Sequence, residues 1–134
     1  MQILSLFPPT AQKRPRVTRF VTYDPSKKDK VAFLKSILNQ LPKSPFFNPL
    51  KIAIQFNIEH PKSHLKPNGE LRKSAPIQHA SKPDIDNLVK FVLDALNGHL
   101  YKDDSQIVSL TAIKQYAETS CIEISIDEVV SSNV

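Results

Sequence analysis

Two glycines, one cysteine and no tryptophan in 134 residues remove several kinds of protein at once. Walker and Rossmann phosphate loops need glycines at fixed intervals so that the backbone can approach the phosphates closely, and two glycines cannot supply them. Cys121 has no partner for an intramolecular disulfide, so the fold does not rely on oxidation and the cytoplasm is the expected setting. No apolar run approaches the roughly eighteen residues of a membrane span. The opening MQILSLFPPT has no positive n-region and breaks at Pro8-Pro9, so neither a signal peptide nor a membrane partner is expected. Proline is missing from one part only: all eleven fall at or before Pro83, which leaves the last third free to form uninterrupted regular structure.

Acidic side chains are scarce before that point. Residues 1–82 carry 15 Lys+Arg against 4 Asp+Glu, a balance of +11, whereas residues 83–134 carry 3 against 9, a balance of −6. The basic part implies a polyanion partner and the acidic part a place for a cation. At this length one domain with one core is expected over 1–134.

In chain order, Gln2 to Phe7 reads as a first strand and Val17 to Tyr23 as a second, on a sheet edge. Between them Lys13, Arg14, Arg16 and Arg19 surround Pro15, as candidates for phosphate contacts or as charges protecting an edge. A helix is expected from Lys27 to Leu41, capped by Asp24 or Ser26, with Val31, Leu34, Ile37, Leu38 and Leu41 inward and Lys27, Lys28, Lys30 and Lys35 outward. Lys51 to Glu59 alternates strictly and reads as a half-buried strand. Residues 60–82 have no usable period and read as a long, mobile, basic loop, whose Lys62, Lys66, Arg72, Lys73 and Lys82 are further candidates for DNA contact. His60 and His64 have a ligand-like spacing, but His79 lies far along the loop and Cys121 is the one thiolate, so structural zinc is not expected. Ile107 to Tyr116 and Thr119 to Glu128 read as two strands that form a hairpin. Ile122, Ile124 and Ile126 then face one way and Cys121, Glu123 and Ser125 the other, which makes Cys121 a packed side chain rather than a nucleophile. The tail from Val129 reads as frayed. The order β-β-α-β-α-β-β predicts an α+β domain with two main helices on a mixed sheet.

The chemistry concentrates in Lys82 to Asp104, KPDIDNLVKFVLDALNGHLYKDD. Ile85, Leu88, Val89, Val92, Leu93 and Leu96 make an amphipathic helical stripe. At about 100° per residue, Asp86, Lys90, Asp94 and Asn97 lie together beside it, and a helical Asp84 would point roughly 160° away from Asp86. Asp84 is therefore expected to precede the helix in extended chain, where residues i and i+2 share a face, after a Lys82 that Pro83 holds extended. Asn97-Gly98 ends the helix, and a short link returns Asp103-Asp104 toward the first two acids. Clustered carboxylates suit Mg²⁺, which takes oxygen ligands alongside substrate phosphate, and Lys90 would face charge developing on a phosphoryl oxygen. The alternative is structural. Acids at a helix start cap it and complement its dipole for about 0.3–2 kcal/mol, Asp86 and Lys90 form an ordinary i,i+4 pair, and Asp103-Asp104 fill a turn. On that reading the chain is a non-catalytic basic module that binds nucleic acid.

The run KPDIDNLVKFVLDALNG followed by DDSQI resembles the RusA family of Holliday junction resolvases over about residues 79–107, and PPTAQKRPRV resembles that family's basic N-terminal segment more loosely. The resemblance implies a RusA-like fold and a homodimeric, Mg²⁺-dependent endonuclease, with Mn²⁺ as a substitute ion, that resolves four-way DNA junctions in recombination and repair. By position it implies catalytic carboxylates at Asp84, Asp86 and Asp104, with Asp103 as a further metal ligand, and a functional lysine at Lys90. The products it implies carry 5′-phosphate and 3′-hydroxyl ends.

Overall fold

The strand with the cleanest alternation is the one the sheet is built around. In the computed structural model, which describes residues 1–130, β4 (Leu50–Glu59) buries Leu50, Ile52, Ile54 and Phe56 on one face. It pairs with a neighbour on each side, giving the sheet order β1-β6-β4-β5. β1 (Gln2–Ser5) lies antiparallel to β6 (Cys121–Glu128), β6 lies antiparallel to β4, and β4 runs parallel to β5 (Ile107–Ala117). The register sets Ile126, Ile124 and Ile122 opposite Ile52, Ile54 and Phe56, and Ile3 opposite Ile124, so one face is a continuous apolar surface.

Two helices cover that face. α1 (Lys27–Ile37) contributes Phe33 and Ile37, and α2 (Ile85–Leu96) contributes Leu88, Phe91, Val92, Ala95 and Leu96, all buried. Phe7, Phe33 and Phe91 meet at centroid separations of 6.1–6.3 Å and join the two helices to the segment after β1. The result is a single α+β domain with a mixed sheet and two helices, as expected. No helix among the described residues is long and apolar enough to cross a membrane.

Several details differ from expectation. β5 and β6 do not form a hairpin, because β4 lies between them and the link 118–120 crosses its end. There the Glu59 amide bonds Ser120 Oγ (3.0 Å) and the His60 amide bonds the Ala117 carbonyl (3.1 Å). The expected second strand is a separate two-stranded ribbon, β2 (Arg16–Val17) and β3 (Thr22–Tyr23), closed by a bond from the Thr18 amide to the Val21 carbonyl (2.8 Å). Its side chains are all exposed, Val17, Phe20, Val21 and Tyr23 included, so none of them packs into the core under the main sheet. α1 stops at Ile37 and continues as a 3₁₀ turn, Leu38–Gln40. Its inward stripe is centred on Phe33 and leaves Val31 and Leu38 exposed, because the aromatic ring fills the space beside Phe7 and Phe91.

Lys30, expected outward, is half-buried and pairs with Asp24 at 2.7 Å and with Asp94 of α2 at 3.6 Å. Its ammonium is the main reason that the Asp24 carboxyl titrates below its ordinary range. Cys121 is packed as expected, its Sγ accepting from Asn57 Nδ2 at 3.2 Å. Val129 is held, since its amide bonds the Pro49 carbonyl (2.8 Å); Val130 is exposed, and the remainder of the expected frayed tail, 131–134, lies outside the described residues.

Candidate active site

The chain enters α2 as its residues dictate. Asp84 is extended, φ −70° and ψ 144°, and Ile85 begins the helix, with the Leu88 amide bonded to the Asp84 carbonyl at 3.2 Å. The Asp84 side chain makes no cap hydrogen bond. That removes the capping part of the structural alternative. A second part of it required an Asp86–Lys90 pair. Among the described residues the ion pairs join Lys30 to Asp24 and Asp94, and Lys66 to Glu70, so Asp84, Asp86, Lys90 and Asp104 all stand outside them.

The third acid returns through a tightly held link. Gly98, at φ +82°, turns the chain after α2. Leu100 and Tyr101 are buried, and the Tyr101 hydroxyl donates to the Leu93 carbonyl. The link is tied to residue 46 by bonds from the Phe46 amide to the Leu100 carbonyl (2.9 Å) and from the Lys102 amide to the Phe46 carbonyl (3.2 Å). Burial, and after it the charges of Asp104, Asp94 and Asp103, push the Tyr101 phenol well above its usual range.

Asp104 thereby reaches a hollow of about 540 Å³ that it shares with Asp86, Lys90 and Asp94, above Val89 and Leu110. A second hollow, of about 520 Å³, is lined by Ser81, Lys82, Asp84, Asp86 and Lys114. Asp86 borders both, so it joins the other two candidate acids. Asp103 does something different. Its carboxylate bonds Ser105, and the Gln106 side chain bonds the Asp103 amide (2.9 Å), so Asp103 caps the 3₁₀ turn Asp104–Gln106 that leads into β5.

Among the described residues no three His, Cys, Asp or Glu side chains converge closely enough to hold an ion by themselves. The donors present are nevertheless exposed carboxylate oxygens, and a Mg²⁺ site needs only one or two of these when water and substrate phosphate complete the shell. The residues therefore fit the ion.

The candidate DNA-contacting cations divide into two groups. Lys13, Arg14, Arg16 and Arg19 are exposed on and before the β2–β3 ribbon, and the root of that ribbon is fastened to α2 by a bond from the Gln12 amide to the Asn87 carbonyl (3.0 Å). In the loop, Lys62, Lys66, Arg72, Lys73 and Lys82 are exposed, but two of them also fold it: Lys66 pairs with Glu70 at 3.9 Å and Arg72 Nε donates to the Leu65 carbonyl at 3.1 Å.

The loop is more ordered than its composition predicts. A 3₁₀ turn spans Lys62–His64, Leu65 bridges Leu71, and the Tyr116 amide holds the Ile77 carbonyl at 2.8 Å. His60, His64 and His79 pack around the Tyr116 ring, and the Nδ1 atoms of His60 and His64 are 3.0 Å apart. His79 is 6 % exposed and its Nδ1 has no partner. Burial, followed by the Lys114 charge, lowers its pKa from the ordinary 6.5. The unfolded chain then takes up this proton first, so His79 contributes stability that is full above pH 6.5 and is lost as pH falls below it. In chemical denaturation across pH 7.5 to about 5, His79→Gln is expected to flatten that acid slope; an unchanged slope would contradict this assignment.

Reading the sequence missed Lys114 and Tyr116. Lys114 left a signal: with Leu110 and Ala112 it falls on the side of β5 that faces α2, where a charge is out of place.

The family described as Endodeoxyribonuclease RusA matches residues 7–127. The chain is also 36 % identical over 131 residues to Uncharacterized protein YqaN of Bacillus subtilis (strain 168), a match that covers 90 % of this chain and 91 % of that relative. With its acids ahead of and along α2, its mixed sheet and a match over nearly its whole length, the chain belongs to the RusA endodeoxyribonuclease family.

Proposed function

We propose that the protein is a structure-specific endonuclease that resolves four-way DNA junctions by Mg²⁺-dependent hydrolysis of phosphodiester bonds, acting as a homodimer in recombination and repair. The observation that carries this reading is that Asp84, Asp86, Lys90 and Asp104 line two hollows that have Asp86 in common, and that among the described residues their side chains are spent on neither helix caps nor ion pairs. Asp84, Asp86 and Asp104 would hold Mg²⁺, with Mn²⁺ as a substitute, and the ion would supply Lewis acidity toward water and the phosphoryl oxygens. Asp103 uses Oδ2 to cap the turn that carries Asp104, and would offer the ion its other carboxylate oxygen.

Lys90 places an ammonium beside the same hollow and stabilises charge on the phosphoryl group. The ribbon arginines, tied to α2 at Asn87, grip flanking phosphates and fix the register of the DNA over the acids. Two equivalent strands must be cut to resolve a junction, and a twofold dimer presents two equivalent sites.

The test is cleavage of a labelled mobile four-way junction beside a linear duplex of the same sequence, with Mg²⁺ or EDTA. Paired symmetric cuts in the junction alone, present only with the ion, are expected. Equal cutting of both substrates would reduce the reading to a general Mg²⁺ nuclease, and binding without cutting under Mg²⁺ or Mn²⁺ would return the acids to a structural role.

A further inference from the structure

We propose that Lys114 is the positioning residue of this site, fixing the chain at Asp84 so that its carboxylate stands ready for the metal; the proposal rests on the reading of Asp84, Asp86 and Asp104 as the ion's ligands. Lys114 Nζ donates to the Ser81 carbonyl at 2.5 Å and to the Pro83 carbonyl at 2.7 Å, the second belonging to the residue immediately before Asp84. Lys114 is half-buried and forms no ion pair among the described residues, so its contacts are with backbone rather than with an acid. An ammonium has three N–H donors, and two of them are committed to one short segment.

The rest of that segment is laid along β5. The Tyr116 amide holds the Ile77 carbonyl, Gln78 bridges Gln115, and the His79 ring lies 4.8 Å from the Tyr116 ring. Residues 77–83 are thus fastened stepwise from Tyr116 down to Lys114, and the next residue is Asp84. From the other side α2 holds the Asp84 carbonyl through the Leu88 amide. Asp84 is therefore fixed at both ends by backbone contacts while its side chain has no cap bond. A ligand held this way loses little freedom when the ion binds, and partners that orient ligands without touching the metal typically account for 10–100-fold in affinity.

Charge alone predicts the opposite sign. Lys114 lines the same hollow as Asp84 and Asp86, and removing a cation beside two carboxylates strengthens their attraction for a divalent ion. The two roles are separated by Mn²⁺ titration of the DNA-free protein, followed by calorimetry, for wild type, Lys114→Met and Lys114→Arg. If Lys114 positions Asp84, Lys114→Met weakens Mn²⁺ binding by about 10-fold or more, and Lys114→Arg, which keeps charge and donors, recovers most of the loss. Amide exchange in residues 77–88 then accelerates in the methionine variant only.

Unchanged or tighter Mn²⁺ binding by Lys114→Met would overturn the proposal while leaving the metal site intact. No Mn²⁺ binding by wild type, either DNA-free or with junction DNA present to supply phosphate ligands, would overturn the metal reading itself and this proposal with it. Should Lys114→Met fail to fold, Lys114→Gln keeps a neutral donor, and Mn²⁺ affinity equal to wild type in that variant counts against a need for the ammonium.

Discussion

Asp84→Asn is expected to lower junction cleavage by on the order of 10³-fold or more while leaving junction binding equal or tighter. A metal ligand in phosphoryl chemistry contributes several kcal/mol of transition-state stabilisation, and each 1.36 kcal/mol is about a factor of ten in rate. Asparagine keeps the shape of the side chain but lacks the charge that holds the ion. Binding should not fall, because a negative charge facing the phosphates has been removed and the ribbon cations are untouched, so the salt dependence of binding stays the same. Thermal stability should also hold to within about 0.5 kcal/mol, since the Asp84 side chain is exposed and caps nothing. The decisive comparison is single-turnover cleavage beside gel-shift affinity for one junction. Full Mg²⁺-dependent turnover by the variant would remove Asp84 from the site.

Lys90→Ala is expected to cost about 10²–10³-fold in turnover, the loss typical when one preorganised donor to a developing oxyanion is removed. The Michaelis constant should change little if the ammonium acts on the transition state more than on bound DNA. Stability again separates the roles. Lys90 is exposed and outside the described ion pairs, and alanine is at least as good a helix former, so melting should be almost unmoved. Were Lys90 only a surface partner of Asp86, the variant would lose about 0.2–0.5 kcal/mol and cut DNA as before. Turnover near the wild-type rate would exclude the catalytic role.

The parts of this molecule that could be read in advance are those whose cause is local. The phase of α2 follows from its own apolar spacing, and it put Asp84 in extended chain and Asp86 with Lys90 and Asp94 on one flank, as the structure has them. The inward faces of β4 and β6 follow from alternation in the same way. Pairing is a different matter. Alternation says which face of a strand is buried and nothing about which neighbour it has, so a hairpin of β5 and β6 was as consistent with their residues as the insertion of β4 between them. α1 carries more apolar residues than one face can bury, and only the position of Phe7 and Phe91 selects Phe33 over Val31. The order in residues 77–83 comes from contacts with Tyr116 and Lys114, more than thirty residues away for Lys114 and Ser81, which no local period records.

The sheet order also bears on when a newly made chain can assemble its candidate site. β1 emerges from the ribosome before the other strands of this sheet, yet its strand partner is β6, and β6 is also what joins β1 to β4. Until residues 121–128 are out, the N-terminal strand has no place in the sheet, and the apolar face on which α2 rests lacks Ile122, Ile124 and Ile126. A nascent chain that stops short of β6 carries every acid of the candidate site without the surface that holds α2 in place. The site is therefore assembled only when that strand has been made, and a ribosome stalled before it releases a fragment with the acids but not their support.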